Sequence, residues 1–379
     1  MSDEPVQANG MGKMRDPVRL NLTDLHRFCR DVYTRMGLAD EDAEFAARVI
    51  VAADVRGIST HGVRLLPRHI DAIRSGIIIP DARMTVLQET PTTLRIDAHH
   101  ALGAAVGTRT MLALMAKAET VGSAFASVRN STHFGIAGYF AAMALEKDMI
   151  GIAMTNANPV GVPTFGARGL FGTNPLAFAV PAGREAPFVL DMATTVITNG
   201  KIEAYGNRDE PLPSGWAVDA QSRPATESRE VPTGLLTGRN FILPLGGAGE
   251  DHGGHKGFNL AVLVDILSAA LAGGVSGPDV RHHGQPYPGS LVSHFFGAIK
   301  IASFRDPAEF RSDMDRMLRR LRECPPAPGH DRVYYAGLKE FEHAEECRRL
   351  GVPVETPVFE GLATLAEDLQ VRRPALDMK

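Results

Sequence analysis

Cysteine is scarce in this chain: Cys29, Cys324 and Cys347 are odd in number, scattered, and show no CxxC spacing. A disulfide framework and a zinc ribbon are thereby excluded, and a reducing cytoplasm is the expected setting. Basic runs are absent and the net charge is -4, so electrostatics give no reason to expect nucleic acid or an acidic membrane surface as a partner. Long apolar runs are missing too. The longest, "FNLAVLVDILSAALAGG" at 258–274, is broken by Asn259 and Asp265 and falls short of the roughly 20 apolar residues that span a bilayer. It reads as a buried core helix. The opening "MSDEPVQANGMGKMRDP" lacks the apolar centre of a signal peptide, and residues 1–17 read as a disordered tail.

Familiar site motifs are missing as well. "LGGAGEDHGGHKG" at 245–257 is rich in glycine, yet neither GxGxxG nor GxxxxGK[ST] threads through it. A Rossmann fingerprint and a Walker loop are therefore absent, although backbone amides in another turn can still hold phosphate. His252 and His255, with Glu250 and Asp251 nearby and His282 and His283 further on, invite a metal reading. No HExxH accompanies them and a glycine-rich loop positions ligands poorly, so they read as exposed loop histidines and no metal is expected.

What is present is ordinary globular material: 379 residues, 44% hydrophobic and 22% charged. Residues 18–80 read as helical: Thr23 is placed to cap a first helix ending at Gly37, Asp40 to cap a second ending at Gly57, and Pro67 fits the first turn of a third. From residue 81 to 305 short β-rich runs ("TTLRIDA", "SAFASVR", "IGIAMTN", "PLAFAVP", "PFVLDMA") alternate with helices at 102–119 and 136–147. That texture predicts an α/β sheet, and "HFFGAIKIASF" at 294–304 adds a late strand, so the sheet is built discontinuously. Asp306-Pro307 opens a charged helix, and residues 306–379 are helices expected to pack back on the N-terminal ones.

Two stretches, "ISTHG" and "NSTHFG", each present a histidine after Ser-Thr. His61 lies just ahead of a predicted helix N-terminus, where the dipole disfavours its protonated form and keeps it able to exchange a proton near neutral pH. Thr60 can orient the imidazole. Arg64 and Arg68, four apart, suit a carboxylate, although a solvated basic face with a capping histidine explains them equally well. His133 ends a strand beside Gly135 and Gly138; its plainer role is a half-buried histidine bonded to a carbonyl. Thr173 and Asn174, in "FGTNP", can donate to a carboxylate or simply make a turn. Asp191 ends an apolar strand, where it can act in a site or cap the next helix.

Taken in order, "DVRGISTHGVRLLPRHI", "STHFGIAGYFA", "FGTNPLAFAVP", "VLDMATT", "GKIEAYGNRDEPLPSGWAVDA" and "LPLGGAGEDHGGHKGFNLAVLVDILSAALAGG" resemble the malate/L-lactate dehydrogenase family of the second type, the sulfolactate-dehydrogenase-like group. That group also contains ureidoglycolate dehydrogenase, diketogulonate reductase and piperideine-2-carboxylate reductase. The resemblance spans about residues 18 to 370. It implies an α/β fold with a non-Rossmann mixed-sheet nucleotide-binding domain, a helical domain formed from both chain ends, and a homodimer or larger assembly. It implies NAD or NADP as cofactor and a small 2-oxo or 2-hydroxy carboxylic acid as substrate, with a cyclic imino acid as the alternative. By motif, His61 with Thr60 and Asp191 would manage the proton, and His133 competes with His61 for that role. Arg64, Arg68, Thr173 and Asn174 would meet the substrate; Asn156, Asn158, Asp191, Met192, Ala193, Lys256, Gly337 and Glu340 would meet the cofactor. One departure stands out: many relatives carry an arginine four positions after the first histidine, where this chain has Leu65. Outside the class, a metal-dependent hydrolase and an inactive scaffold are the competing readings.

Overall fold

A computed structural model describes residues 17–280 and 291–377. The expected N-terminal tail up to residue 16, and His282 and His283, lie outside the described residues. The chain opens with β1 (Val18–Leu20), α1 (Leu22–Arg35), α2 (Asp40–Val55) and α3 (Leu66–Arg74). Next come β2 (Thr85–Glu89), β3 (Thr93–Asp97), α4 (Gly103–Val121), β4 (Ser123–Ser131), α5 (Ala137–Met143), β5 (Met149–Thr155), β6 (Leu176–Val180) and β7 (Phe188–Met192). A smaller excursion holds α6 (Asn199–Asn207), β8 (Ala217–Asp219), α7 (Val231–Thr237) and β9 (Asn240–Ile242), and leads into α8 (Gly254–Asp265). The chain closes with β10 (Val292–Lys300), α9 (Pro307–Arg322), α10 (Leu338–Leu350), β11 (Val352–Val354) and α11 (Thr356–Leu369).

The two chain ends meet. β1 pairs antiparallel with β11, Val18 opposite Val354, and α11 packs on α1 and α3. Leu25, Phe28, Cys29, Val32 and Tyr33 of α1 are fully buried against α2. The cap of α1 is Asn21, whose side chain accepts the Asp24 N–H at 3.1 Å, and not Thr23 as expected. The reason is tertiary: Asn21 N–H bonds the Ala375 carbonyl, which holds the chain extended up to that residue. Asp40 is likewise inside its helix rather than capping it; Ala39 takes the cap position without a side-chain bond, and the acidic first turn supplies the favourable charge.

Seven strands form one mixed sheet in the order β2-β3-β4-β10-β5-β6-β7. Only β3 and β4 run parallel; every other neighbour is antiparallel. The late strand β10 inserts between β4 and β5, so the sheet is discontinuous in sequence, as the pattern predicts, though it ends at Lys300 in a 3-10 turn rather than at residue 304. α4 and α5 cover one face, burying Met111, Leu114 and Phe140 over Phe296. The α5 segment is α-helical to Met143 and tightens to 3-10 through Lys147. α8 lies on the other face and continues as a π-helical stretch, Ile266–Ala270. It is not the buried core helix expected: Val264 is buried, but Leu263, Ile266 and Leu271 are 44%, 50% and 58% exposed. One side seats on the sheet, and among the described residues no outer layer covers the other. No helix among these residues is long and apolar enough to cross a membrane.

Candidate active site

α2 ends one residue before Arg56, and the chain then makes two 3-10 turns, Ser59–His61 and Val63–Leu65, before α3 begins. His61 is therefore separated from the α3 N-terminus. What shapes its turn is Asp54, on the last turn of α2, whose Oδ2 accepts the Val63 N–H at 2.7 Å. Gly62 sits so close to that carboxyl that a Cβ would overlap all three of its atoms. Asp54 is 5% exposed; burial pushes its pKa up to about 7, against the pull of the Val63 N–H and the Arg64 guanidinium. Thr60 Oγ1 stands 3.0 Å from His61 Nδ1. Burial holds the His61 pKa below the usual imidazole value and Arg64 lowers it further, so the imidazole is neutral at pH 7. The direction is the one expected, but its cause is desolvation and a guanidinium.

His133 follows β4 in a segment clamped from below: Thr132 Oγ1 accepts the Gly103 N–H at 2.8 Å and donates to the Ala101 carbonyl at 3.2 Å. Its ring stacks on that of His61, with centroids 5.4 Å apart and planes at 23°. His69 of α3 also meets the His133 ring, with centroids 6.4 Å apart and planes tilted by 48°, and its Nδ1 is 2.8 Å from the buried Tyr33 hydroxyl. Asp191, near the end of β7, takes the Gly138 N–H on Oδ2 at 2.7 Å. Its pKa is raised to about 6 by burial, while the Gly138 N–H and Arg56 pull it down. Arg56 is half-buried; desolvation lowers its pKa, against the attraction of Asp191 and Glu340.

His61, His133 and Asp191 open onto one cavity of about 560 Å³ between the N-terminal helices and the sheet. Of the residues singled out from the sequence, Thr60, His61, Arg64, Arg68, His133, Thr173, Asp191, Met192 and Ala193 all line it. Leu65 and, from α6, Glu203 line it as well. A larger cleft of about 1060 Å³ by Arg30, Glu41 and Arg372 carries mixed charge and none of the histidines.

The remaining predicted residues lie elsewhere. Asn174 is fully buried; its Oδ1 accepts the Ala157 N–H and its Nδ2 donates to the Ala261 carbonyl. Asn156 is spent in the same way on Asp265, Val275 and Ser293. Asn158 is half-buried with an unpartnered Oδ1, and Lys256 is exposed in the first turn of α8. Gly337 packs on Val189 of β7, where a Cβ would come within 2.9 Å, and Glu340 stands behind Asp191 near Arg56. Sequence reasoning missed Asp54, Arg56, His69 and Glu203. An acid amid Val51, Ala53 and Val55 is a signal for Asp54; nothing local distinguishes Glu203. Among the described residues no three His, Cys, Asp or Glu side chains group to hold a metal ion.

A neutral imidazole steadied by a hydroxyl, beside two guanidinium groups, can exchange a proton with an oxygen next to a bound carboxylate. The comparisons point the same way. The family model described as malate/L-lactate dehydrogenase matches residues 20–363. The chain is 39% identical to a malate dehydrogenase of Pyrococcus abyssi, over 94% of this chain and 96% of that protein. It is 33% identical to the L-sulfolactate dehydrogenase of Methanocaldococcus jannaschii, over 89% and 94%. The crystal structure of malate dehydrogenase from Entamoeba histolytica superposes with a TM-score of 0.91 at 32% identity, over 94% and 99% of the two chains. With its fold, its paired histidines and this full-length likeness, the chain belongs to the malate/L-lactate dehydrogenase family.

Proposed function

We propose that this protein is an NAD(P)-dependent dehydrogenase that interconverts a small 2-hydroxy carboxylic acid and its 2-oxo form, with His61 carrying the proton. The observation that carries this reading is the stacking of His61 on His133 in a cavity that also contains Arg64 and Arg68. In oxidation, neutral His61 accepts the hydroxyl proton; in reduction, its protonated form returns it. An arginine holds the carboxylate and so fixes the reacting carbon, which is the orienting part of the rate enhancement. His133 stacks against His61 and limits how its ring can turn. Asp191, with Arg56 behind it, steadies the opposite wall.

A nicotinamide, when bound, supplies or takes the hydride. The chain offers a fitting track for the rest of the dinucleotide. Leu245 N–H bonds the Thr194 carbonyl, so the glycine-rich loop begins beside the cavity-lining Met192 and Ala193. Asn158 Oδ1 and Thr164 Oγ1 are buried without partners, as is Nδ1 of His255, which is half-buried in the first turn of α8 and not an exposed loop histidine; Lys256 and the α8 N-terminus suit phosphate. These residues are proposed to hold NAD or NADP.

The same reading takes residues 18–80 and 306–379 as a helical domain and 81–305 as the cofactor domain. It takes the exposed Leu263, Ile266 and Leu271, with Val86 and Leu87 on the edge strand β2, as surface covered in a homodimer. The free cysteines suit a reducing cytoplasm.

The test is binding of NADH and of NADPH to purified protein, followed by loss of absorbance at 340 nm with a panel of 2-oxo acids and cyclic imino acids. Turnover of a 2-oxo acid supports the reading. Turnover of cyclic imines alone moves the protein to imine reduction, and failure to bind either cofactor removes it from dehydrogenases.

A further inference from the structure

Within the sheet lies an imidazole that the reaction above does not use. His294 of β10 is fully buried, with Nε2 2.8 Å from Ser131 Oγ on β4 and Nδ1 2.8 Å from Thr155 Oγ1 on β5. Thr155 stands opposite His294 in the β10–β5 pair, so the two share a face and their contact follows from the register. The Ser131 contact does not. Ser127, four residues earlier on β4, sends its hydroxyl to the Leu267 carbonyl in the continuation of α8, and strict alternation would turn Ser131 the same way. A bulge prevents this. His294 opposes Val128 and Val292 opposes Ser131, so β4 carries one residue more than β10 over that interval, and Asn130 takes φ +52°. The extra residue brings Ser131 to the face of His294 and Phe296, where α4 and α5 pack. The contacts also fix the ring's protons. Thr155 Oγ1 donates to the carbonyls of Asn156 and Ser293, both at 3.0 Å, so it accepts from Nδ1, and in the neutral ring Nε2 takes the Ser131 O–H. The flat face of the ring stacks on Phe134, with centroids 4.5 Å apart and planes at 3°. His294 thus holds the chain both just before and just after His133.

We propose that His294 is a positioning residue: through Ser131 and Phe134 it fixes the backbone that carries His133, and with it the stack of His133 on His61. This rests on the dehydrogenase reading above. β4 ends at Ser131, so no strand ladder reaches His133, and Gly135 turns the chain away at φ +92°. Between those points the path is held by Thr132, bonded to the start of α4, and by the two residues that His294 grips. The same ring ties the end of β4 to the end of β5, which lead to His133 and to Asn158 of the cofactor track. Loss of the Ser131 bond alone frees the His133 segment to tilt. Proton transfer through His61 then slows, while the cofactor site keeps its Thr155 anchor.

The experiment compares Ser131→Ala and His294→Asn with Ser127→Ala, a control that also removes a buried hydroxyl bond from β4 but on the opposite face. Asparagine places its amide where Nδ1 stands, so it keeps the Thr155 bond and loses the Ser131 one. In both test variants kcat for the best substrate of the panel should fall on the order of ten-fold, less than the roughly 100-fold that a full 1 Å displacement costs. The solvent deuterium isotope effect on kcat should rise, and affinity for the preferred cofactor should stay within about two-fold. Ser127→Ala should lose comparable thermal stability and keep kcat within about two-fold. The proposal is overturned if Ser131→Ala keeps its kcat, if its kcat falls with no rise in the isotope effect, or if Ser127→Ala loses as much. Should His294→Asn fail to fold, Ser131→Ala decides alone. If the wild type turns over nothing in the panel, the dehydrogenase reading fails separately. The proposal is then read from histidine-ring NMR, where Ser131→Ala should shift the His133 and His61 signals and Ser127→Ala should not; unmoved signals in Ser131→Ala refute it.

Discussion

Gly62→Ala tests whether the geometry of the His61 turn is set by contact with Asp54. The backbone at Gly62 has φ -87° and ψ -156°, which alanine adopts without strain, so dihedral preference predicts almost no effect. Space predicts the opposite. An added Cβ would overlap the Asp54 carboxyl, and non-bonded atoms settle at about 3.5 Å, so the turn or the carboxyl must move by more than about 1 Å. Asp54 is buried and tied to Val63 N–H, and α2 is packed along its length, so the turn gives way and carries His61 and Arg64 with it. Misplacement of this order costs about 100-fold in turnover, and overpacking costs about 1–3 kcal/mol of stability. The assay is kcat and KM with the best 2-oxo acid, cofactor affinity by fluorescence, and thermal unfolding. Adding Asp54→Ala to Gly62→Ala relieves the overlap, so the double variant should be less impaired than the product of the single effects. A Gly62→Ala enzyme within three-fold of wild-type kcat would refute the reasoning.

Replacing His61 by alanine should lower turnover by orders of magnitude while leaving cofactor affinity nearly intact; unchanged turnover would transfer the proton role to His133. In the oxidative direction His61 must be neutral, and burial and Arg64 both lower its pKa, so the acid limb of the kcat profile should lie below 6.5. Arg64→Gln should move that limb upward towards 6.5, and a limb that stays or falls would contradict the assignment. Asp54 binds its proton more tightly folded than unfolded, about 7 against 3.8, so stability should fall by a few kcal/mol as pH rises between those values. Asp54→Asn should flatten that decline in denaturant titrations. Phe134, 2% exposed and stacked on Phe140 at 4.8 Å and His294 at 4.5 Å, should cost about 3–5 kcal/mol as Phe134→Ala, measured by chemical unfolding.

Local pattern alone determined a good deal here. Strand runs such as "SAFASVR" and "PFVLDMA" are apolar and bounded by turn residues, so their character shows in a short window, as does the capping of α9 by Asp306. The His61 and His133 stretches were legible for the same reason: their unusual residues sit at element ends, where sequence is informative. Tertiary structure decided what those residues do. It stacked the two histidines, placed Asp54 beneath Gly62, and drew Glu203 from a distant helix to Arg64. It also consumed the amides of Asn156 and Asn174 inside the fold, and selected Asn21 over Thr23 as a cap through a bond to Ala375. Hydrogen bonds and ion pairs depend on distances of a few ångströms between segments far apart in the chain. Periodicity reports only which face of an element is apolar, so it cannot name the partner that face or side chain will meet.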